Sequence, residues 1–356
     1  MAEPLKHLYS PEFITQVATE LERVWPQFPV KTFQSAVLTP AWEGLELKAR
    51  MRCITQALHQ CLPAEYPLAV DLLKQVAPQF SGYPAVIFPD YIQCYGLEDW
   101  DRSLQALHWM TRFSTAEFAV RPFLEQNPSA MLAVMQDWCE HVRRLASEGC
   151  RPRLPWATEL KLFRQNPEPL WPLLDRLKQD PSLYVRRSVA NNLNDISKDH
   201  PQQVLAWVAP RLGQHPDTDW LLRHACRTLL KRAEPEALSL FGWGAAEHVQ
   251  VSRLALDREA IAIGETLGFH FTLQTDAAAL GKLRLEYIIE YMKANGQHRA
   301  KTFQIRAKTI TGSQSEFSCQ QSFQEMSTRR HYPGIHRLRI RVNGIEKAMC
   351  EFRLRP

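Results

Sequence analysis

The sequence predicts two domains of different class, an α-helical solenoid over residues 1–244 followed by a β-sandwich over residues 245–356. Two observations carry this division. Apolar residues recur every three to four positions as far as about residue 243, and every second position from about residue 248. Helix-start signals also recur in the first part, spaced about the length of one helix pair in a helical array. A chain of 356 residues is long for one domain, and 45% hydrophobic with 23% charged residues suits folded, core-bearing units.

In the first part, Ser10-Pro11-Glu12 supplies an N-cap, a proline at the first helical position and an acid in the first turn. Phe13, Val17, Leu21 and Val24 then fall on one face. The start signal repeats at Asn127-Pro128, Asn166-Pro167, Asp180-Pro181 and His200-Pro201. The segment DPSLYVRRSVANNLNDISK, residues 180–198, shows the repeat best, with Val185, Val189, Leu193 and Ile196 as its apolar stripe. FAVRPFL at 118–124 and LLRHACRTLL at 221–230 are related helices. None can bury its stripe alone, so neighbours must stack, and a HEAT-like array of roughly six helix pairs follows.

In the second part, Leu283, Leu285, Tyr287, Ile289 and Tyr291 alternate with Arg284, Glu286, Ile288 and Glu290. Leu338, Ile340 and Val342 alternate with Arg337, Arg339 and Arg341, and Asn343-Gly344 then predicts a tight hairpin. Further strands are expected at 269–273, 303–307, 317–323 and 350–354. About seven strands in this length make a sandwich of immunoglobulin-like size. The Cys–Trp–Cys hallmark of antibody domains is missing, because no tryptophan follows Trp243.

The eight cysteines form no C-x-x-C pair and no zinc or disulfide framework, so reduced thiols are expected. No apolar stretch approaches membrane-spanning length and the N-terminus lacks a signal-peptide layout, which predicts a cytoplasmic protein. Charge is uneven: 17 Lys plus Arg against 11 Asp plus Glu from residue 245 onward, but 26 against 27 before it. A basic second domain points to an anionic partner.

The segment RRLASEGCRPRLPWATELKLFR, residues 143–164, is the most informative. It holds Arg143, Arg144, Arg151, Arg153, Lys161 and Arg164 around Trp156, with Glu148 in the last turn of its helix, where the dipole disfavours an anion. Cations around an aromatic suit a phosphate backbone and a stacking surface. The plainer alternative pairs Glu148 with Arg144 and packs Trp156 into the next repeat. Asp195 lies on a polar stripe with Tyr184, Arg187 or Ser188, and Asn191, and could instead be solvated. Glu117 precedes Arg121 by one turn, and a surface ion pair would explain it plainly. No Gly-rich phosphate loop, Ser-His-Asp set or H-E-x-x-H helix is present.

RRLASEGCRPRLPWA, SLYVRRSVANNLNDISKDHP and STAEFAVRPF together resemble the AlkC-type 3-methyladenine DNA glycosylases, relatives of the AlkD type. The resemblance covers most of residues 1–243, and some members carry an immunoglobulin-like appendage. It implies a monofunctional glycosylase for cationic bases such as 3-methyladenine and 3-methylcytosine, acting on double-stranded DNA without flipping the lesion into a closed pocket. It implies no cofactor and no metal, with Glu148, Asp195 and Glu117 as catalytic carboxylates and Trp156 against the lesion's deoxyribose. The DNA-binding set expected here is Arg143, Arg144, Arg151, Arg153, Lys161, Arg164, Arg187 and Asn191, with Arg337, Arg339 and Arg341 on the sandwich. A monomer without membrane contact is expected. The competing readings are a non-catalytic HEAT-repeat scaffold and a damaged-DNA-binding protein that does not cut.

Overall fold

The computed structural model describes residues 4–134, 136–326 and 330–356. Fifteen α-helices and seven short 3-10 helices between Leu5 and Leu240 precede eight strands among these residues. Two compact units result: residues 1–204 with 210–225, and residues 205–209 with 226–356.

In the first unit, the Pro11–Val24 helix starts as its sequence requires, with the Ser10 hydroxyl accepting from the Phe13 N–H at 3.3 Å. Its buried face is Ile14, Val17, Ala18 and Leu21, rotated slightly from the expected stripe. Three of the later start signals do something different. Asn127, Asn166 and Asp180 accept from the N–H two residues on, at 3.1, 3.0 and 2.9 Å, and so form side-chain-closed turns ahead of the next helix. Only at His200-Pro201 does the proline itself open a helix, Pro201–Val208. The 118–124 candidate is helical only from Arg121, and the 221–230 candidate is broken at Cys226 into Pro216–Ala225 and Arg227–Lys231.

The helices that matter for the site are Glu140–Gly149 and Leu183–Ile196, which pack against each other. Val185, Val189, Leu193 and Ile196 are fully buried, as their periodicity requires. Gly149 is the last residue of the first of these helices, at a position where a Cβ would lie 2.6 Å from Val120 Cγ1.

The second unit holds a two-sheet sandwich. β1 (Gln250–Leu256), β3 (Thr266–Gln274) and β6 (Gln314–Ser322) form one sheet in the order β1-β3-β6. β2 (Ala260–Ala262), β4 (Gly281–Met292), β5 (His298–Ile310), β7 (Gly334–Val342) and β8 (Ile345–Arg355) form the other, ordered β2-β8-β7-β4-β5. Among the described residues, only the β2–β8 pair is parallel. Phe269, Phe271, Leu285, Tyr287, Ile289, Leu338, Ile340 and Phe352 fill the core between the sheets. Asn343 and Gly344 both take positive φ in the β7–β8 turn, as an Asn-Gly hairpin demands.

β4 departs from simple alternation, because Arg284, Glu286 and Ile288 are buried as well as their core-facing neighbours. The residues just before the sandwich cover that outer face. The Arg284 guanidinium stands 5.2 Å over the Trp243 ring, and Arg341 donates to the Lys231 carbonyl at 2.7 Å. Asn343 Nδ2 donates to the Gly244 carbonyl at 2.8 Å. No helix among the described residues is long and apolar enough to cross a membrane.

Candidate active site

Glu148, at the end of the Glu140–Gly149 helix, projects toward Leu183–Ile196, where Ser188 and Asp195 lie two helical turns apart. Arg151, in the loop that follows Glu148, joins them. Its Nη1 donates to Glu148 Oε1 at 2.7 Å and its Nε to Asp195 Oδ2 at 2.9 Å. Ser188 Oγ donates to Glu148 Oε2 at 2.6 Å, and Lys198 Nζ to Asp195 Oδ1 at 2.9 Å. Arg144 extends the array with Nη1 to Glu117 Oε1 at 2.7 Å and Nη2 to Glu148 Oε1 at 3.6 Å. Three carboxylates and three cations thus alternate along one line, Glu117–Arg144–Glu148–Arg151–Asp195–Lys198.

Glu148 and Asp195 are only 6% and 1% exposed, so the solvated-aspartate alternative does not hold. Burial works against the charge on Arg151, but the Glu148 and Asp195 carboxylates outweigh it and hold its pKa above the ordinary guanidinium value. Arg144 behaves likewise, with Glu117 and Glu148 outweighing desolvation. Glu117 Oε2 is buried with no hydrogen-bond partner.

Trp156 stands at the tip of the loop after Arg151, 61% exposed and with φ of +66°. A bulky residue in the left-handed region costs about 1–3 kcal/mol and persists only where its surroundings hold it. The plainer expectation, a tryptophan packed into the next repeat, therefore fails. Part of the holding is local, the Ala157 N–H donating to the Leu154 carbonyl at 3.2 Å with Pro155 in the second position of the turn, and the base of the loop is fixed by Arg121. Its guanidinium donates to the carbonyls of Gly149 at 3.0 Å, Arg151 at 2.9 Å and Thr158 at 2.6 and 2.9 Å. Arg121 does not pair with Glu117 as a surface ion pair would require; both residues are buried, with Glu117 held by Arg144 instead. A cleft of about 200 Å³ lies beside Trp156, lined also by Lys48, Arg52, Tyr83, Asp90 and Phe118.

Residues 64–229 match the DNA alkylation repair enzyme family, and residues 250–356 match the C-terminal Ig-like domain of protein YhaZ. The chain is 42% identical over 355 residues to YhaZ of Bacillus subtilis (strain 168), covering 98% of this chain and 99% of that protein. It is 40% identical to the alkylpurine DNA glycosylase AlkC of Pseudomonas fluorescens, solved bound to DNA containing an abasic site analog. That match covers 99% of this chain and all of the other, with a TM-score of 0.95. The chain belongs to the AlkC/AlkD family of DNA alkylation repair proteins.

Within this family member, the residues expected to meet phosphate divide into two groups. Arg151 is buried between carboxylates, and Arg143 is held by Asp180 at 2.6 and 3.0 Å. Arg144 serves Glu117 and Glu148, while Arg153 and Arg164 share Asp199 and Glu159. Among the described residues, no ion pair engages Lys161 or Arg187, and both are exposed. Asn191 lies between these extremes, half-buried on the same helix as Arg187. The local excess of positive charge read from the sequence is therefore largely internal, since acids distant in sequence fold against it.

The sandwich arginines are resolved the same way. Arg341 donates to Glu286 at 2.7 and 3.0 Å, Arg339 pairs with Glu290 and Glu346, and Arg337 with Glu290 and Glu351. Three arginines in line do repel, but the anions that offset them come from β4 and β8. The row alone therefore gives no reason to place an external anion on that face. Ser188, Lys198 and Arg121 were not singled out for these roles from the sequence. The E-x-x-R spacing of Glu148 and Arg151 was the available signal for an internal pair. Among the described residues, no group of three or more His, Cys, Asp or Glu is placed to hold a metal.

Proposed function

We propose that this protein is a DNA glycosylase that hydrolyses the N-glycosidic bond of cationic alkylated bases in double-stranded DNA, 3-methyladenine first and 3-methylcytosine with it. The observation that carries the reading is the buried Glu148–Arg151–Asp195 bridge one loop away from an outward-facing Trp156. The 40% identity to an alkylpurine DNA glycosylase over nearly the whole chain supports it.

The chemistry asks little of a general acid. Alkylation at N3 or N7 makes the base cationic, hence a good leaving group, and bond cleavage leaves an oxocarbenium-like sugar that water attacks. Fixed carboxylates in a poorly solvated site stabilise that charge without reorganising during the reaction. Arg151 and Ser188 lock the Glu148 rotamer, and Arg151 and Lys198 lock Asp195, so their remaining lone pairs keep a defined direction. The exposed face of Trp156 adds cation–π attraction of about 0.5–2 kcal/mol to the same charge.

Release of labelled 3-methyladenine from methylated duplex DNA under single-turnover conditions tests the proposal. Glu148→Gln and Asp195→Asn should each slow release by on the order of 10² or more while binding to an abasic-site duplex changes little. Binding without any base release by the parent protein would establish a damage-binding protein instead.

A further inference from the structure

We propose that Lys48 is the positioning residue of Trp156, a latch supplied by a helix outside the segment that matches the DNA alkylation repair family. The family match begins at residue 64, whereas Lys48 lies in the Leu47–Cys61 helix. Its ammonium donates to the Trp156 carbonyl across 108 residues of sequence. The same ammonium stands 5.5 Å over the ring of Phe118, the neighbour of Glu117. Tyr83 adds an edge-on contact to the indole, with ring centroids 6.3 Å apart.

The division of labour follows from where each cation donates. Arg121 fixes the base of the loop through the Gly149, Arg151 and Thr158 carbonyls. At the tip the Ala157 N–H closes a turn onto the Leu154 carbonyl at 3.2 Å, with Trp156 at its third position in the left-handed region. Turning the Trp156 carbonyl toward Lys48 gives that conformation a charge-assisted partner, stronger than a neutral hydrogen bond. A left-handed tryptophan aims its indole where a right-handed or extended one would not, so an ammonium that secures this turn secures the direction in which the ring faces. Lys48 does not touch the reacting atoms; it acts through Trp156.

The proposal rests on the reading above that Trp156 meets the sugar of the lesion, and the experiment separates the two. Protein labelled with 5-fluorotryptophan gives a fluorine resonance for each of the ten tryptophans, and Trp156→Phe assigns the one that matters. Lys48→Met should shift or broaden that resonance in the DNA-free protein and slow single-turnover release of 3-methyladenine about tenfold, the order of loss expected when a catalytic surface is misaimed. Lys48→Arg, which keeps a cationic donor, should restore the rate to within about threefold. In a Trp156→Ala background, Lys48→Met should add no further loss, because two residues acting through one group are not additive. An exposed lysine is replaced, so unchanged thermal unfolding is expected and checks that the variant is folded. An unmoved Trp156 resonance in folded Lys48→Met would overturn the latch, as would equal slowing in both backgrounds. A fall of about 0.9 in the salt-dependence slope with the resonance unmoved would make Lys48 a phosphate contact instead, and that too overturns it. If Trp156→Ala itself released base at the parent rate, the functional reading of Trp156 would fail, while the resonance would still decide whether Lys48 holds it.

Discussion

Arg151 shows how a residue read as a phosphate contact becomes part of the interior. Both of its carboxylate partners are nearly inaccessible, and it is the cation they share. Arg151→Met should therefore lower stability by about 3–5 kcal/mol, the penalty of stranding buried charge, and scanning calorimetry measures it. Lys161 and Arg187 should behave in the opposite way. Alanine at either should leave the melting temperature almost unchanged and flatten the log–log salt dependence of DNA binding by about 0.9 per contact. Titration of methylated duplex across a salt series reads this directly, and an unchanged slope in the double variant would remove both from the interface.

At the scale of single elements, charge placement separates structural from exposed groups on the same strand. Arg341 and Arg337 both face away from the sandwich core on β7, yet Glu286, the partner of Arg341, is 1% exposed, and Arg337 meets Glu351 at the surface. Arg341→Ala should destabilise the sandwich by several kcal/mol, because it removes one of two guanidiniums clamping a buried carboxylate. Arg337→Ala should cost less than about 1 kcal/mol. Thermal unfolding of the two variants side by side checks the contrast. The Trp100–Met110 helix carries a separate, pH-dependent element. Burial pushes the His108 imidazole down to about 4, against the opposing pull of Asp137, and its Nε2 has no partner. A histidine with a folded pKa below its unfolded value of about 6.5 takes up its proton more readily when unfolded. Its contribution is present above pH 6.5 and lost as pH falls from 6.5 toward 4. His108→Phe should flatten stability against pH across that window, as read by urea unfolding at successive pH values.

At the scale of the molecule, the second unit extends from the sandwich back to Cys226. Arg341 on Lys231, Lys282 on Phe241 at 2.8 Å and Asn343 on Gly244 are bonds within it. A fragment comprising residues 226–356 should accordingly melt cooperatively and at a higher temperature than one comprising 250–356, which bares Arg284 and Glu286. Equal melting temperatures would show that the 226–249 segment contributes nothing to the sandwich. A protein cut near residue 245 loses the partners of Lys231, Phe241 and Gly244, so cutting there removes more than the strands.

The sequence by itself determined the order and class of the two halves, because periodicity of 3.6 or 2 is a local property of the chain and survives without knowledge of its neighbours. It also singled out Glu148, Asp195, Glu117 and Trp156, through a helix-end acid, a polar stripe and the family-like segments that contain them. Which charges are free was decided only by the tertiary structure. Asp180, Asp195 and Asp199 lie 35 to 46 residues from the arginines they neutralise, so no local count could subtract them. The conformation of Trp156 is tertiary only in part: Leu154-Pro155-Trp156-Ala157 closes a local turn, the Ala157 N–H donating to the Leu154 carbonyl at 3.2 Å, whereas the Arg121 bonds at the base of the loop, the Lys48 bond to the Trp156 carbonyl and the Tyr83 ring come from residues too distant in sequence for any local pattern to reveal.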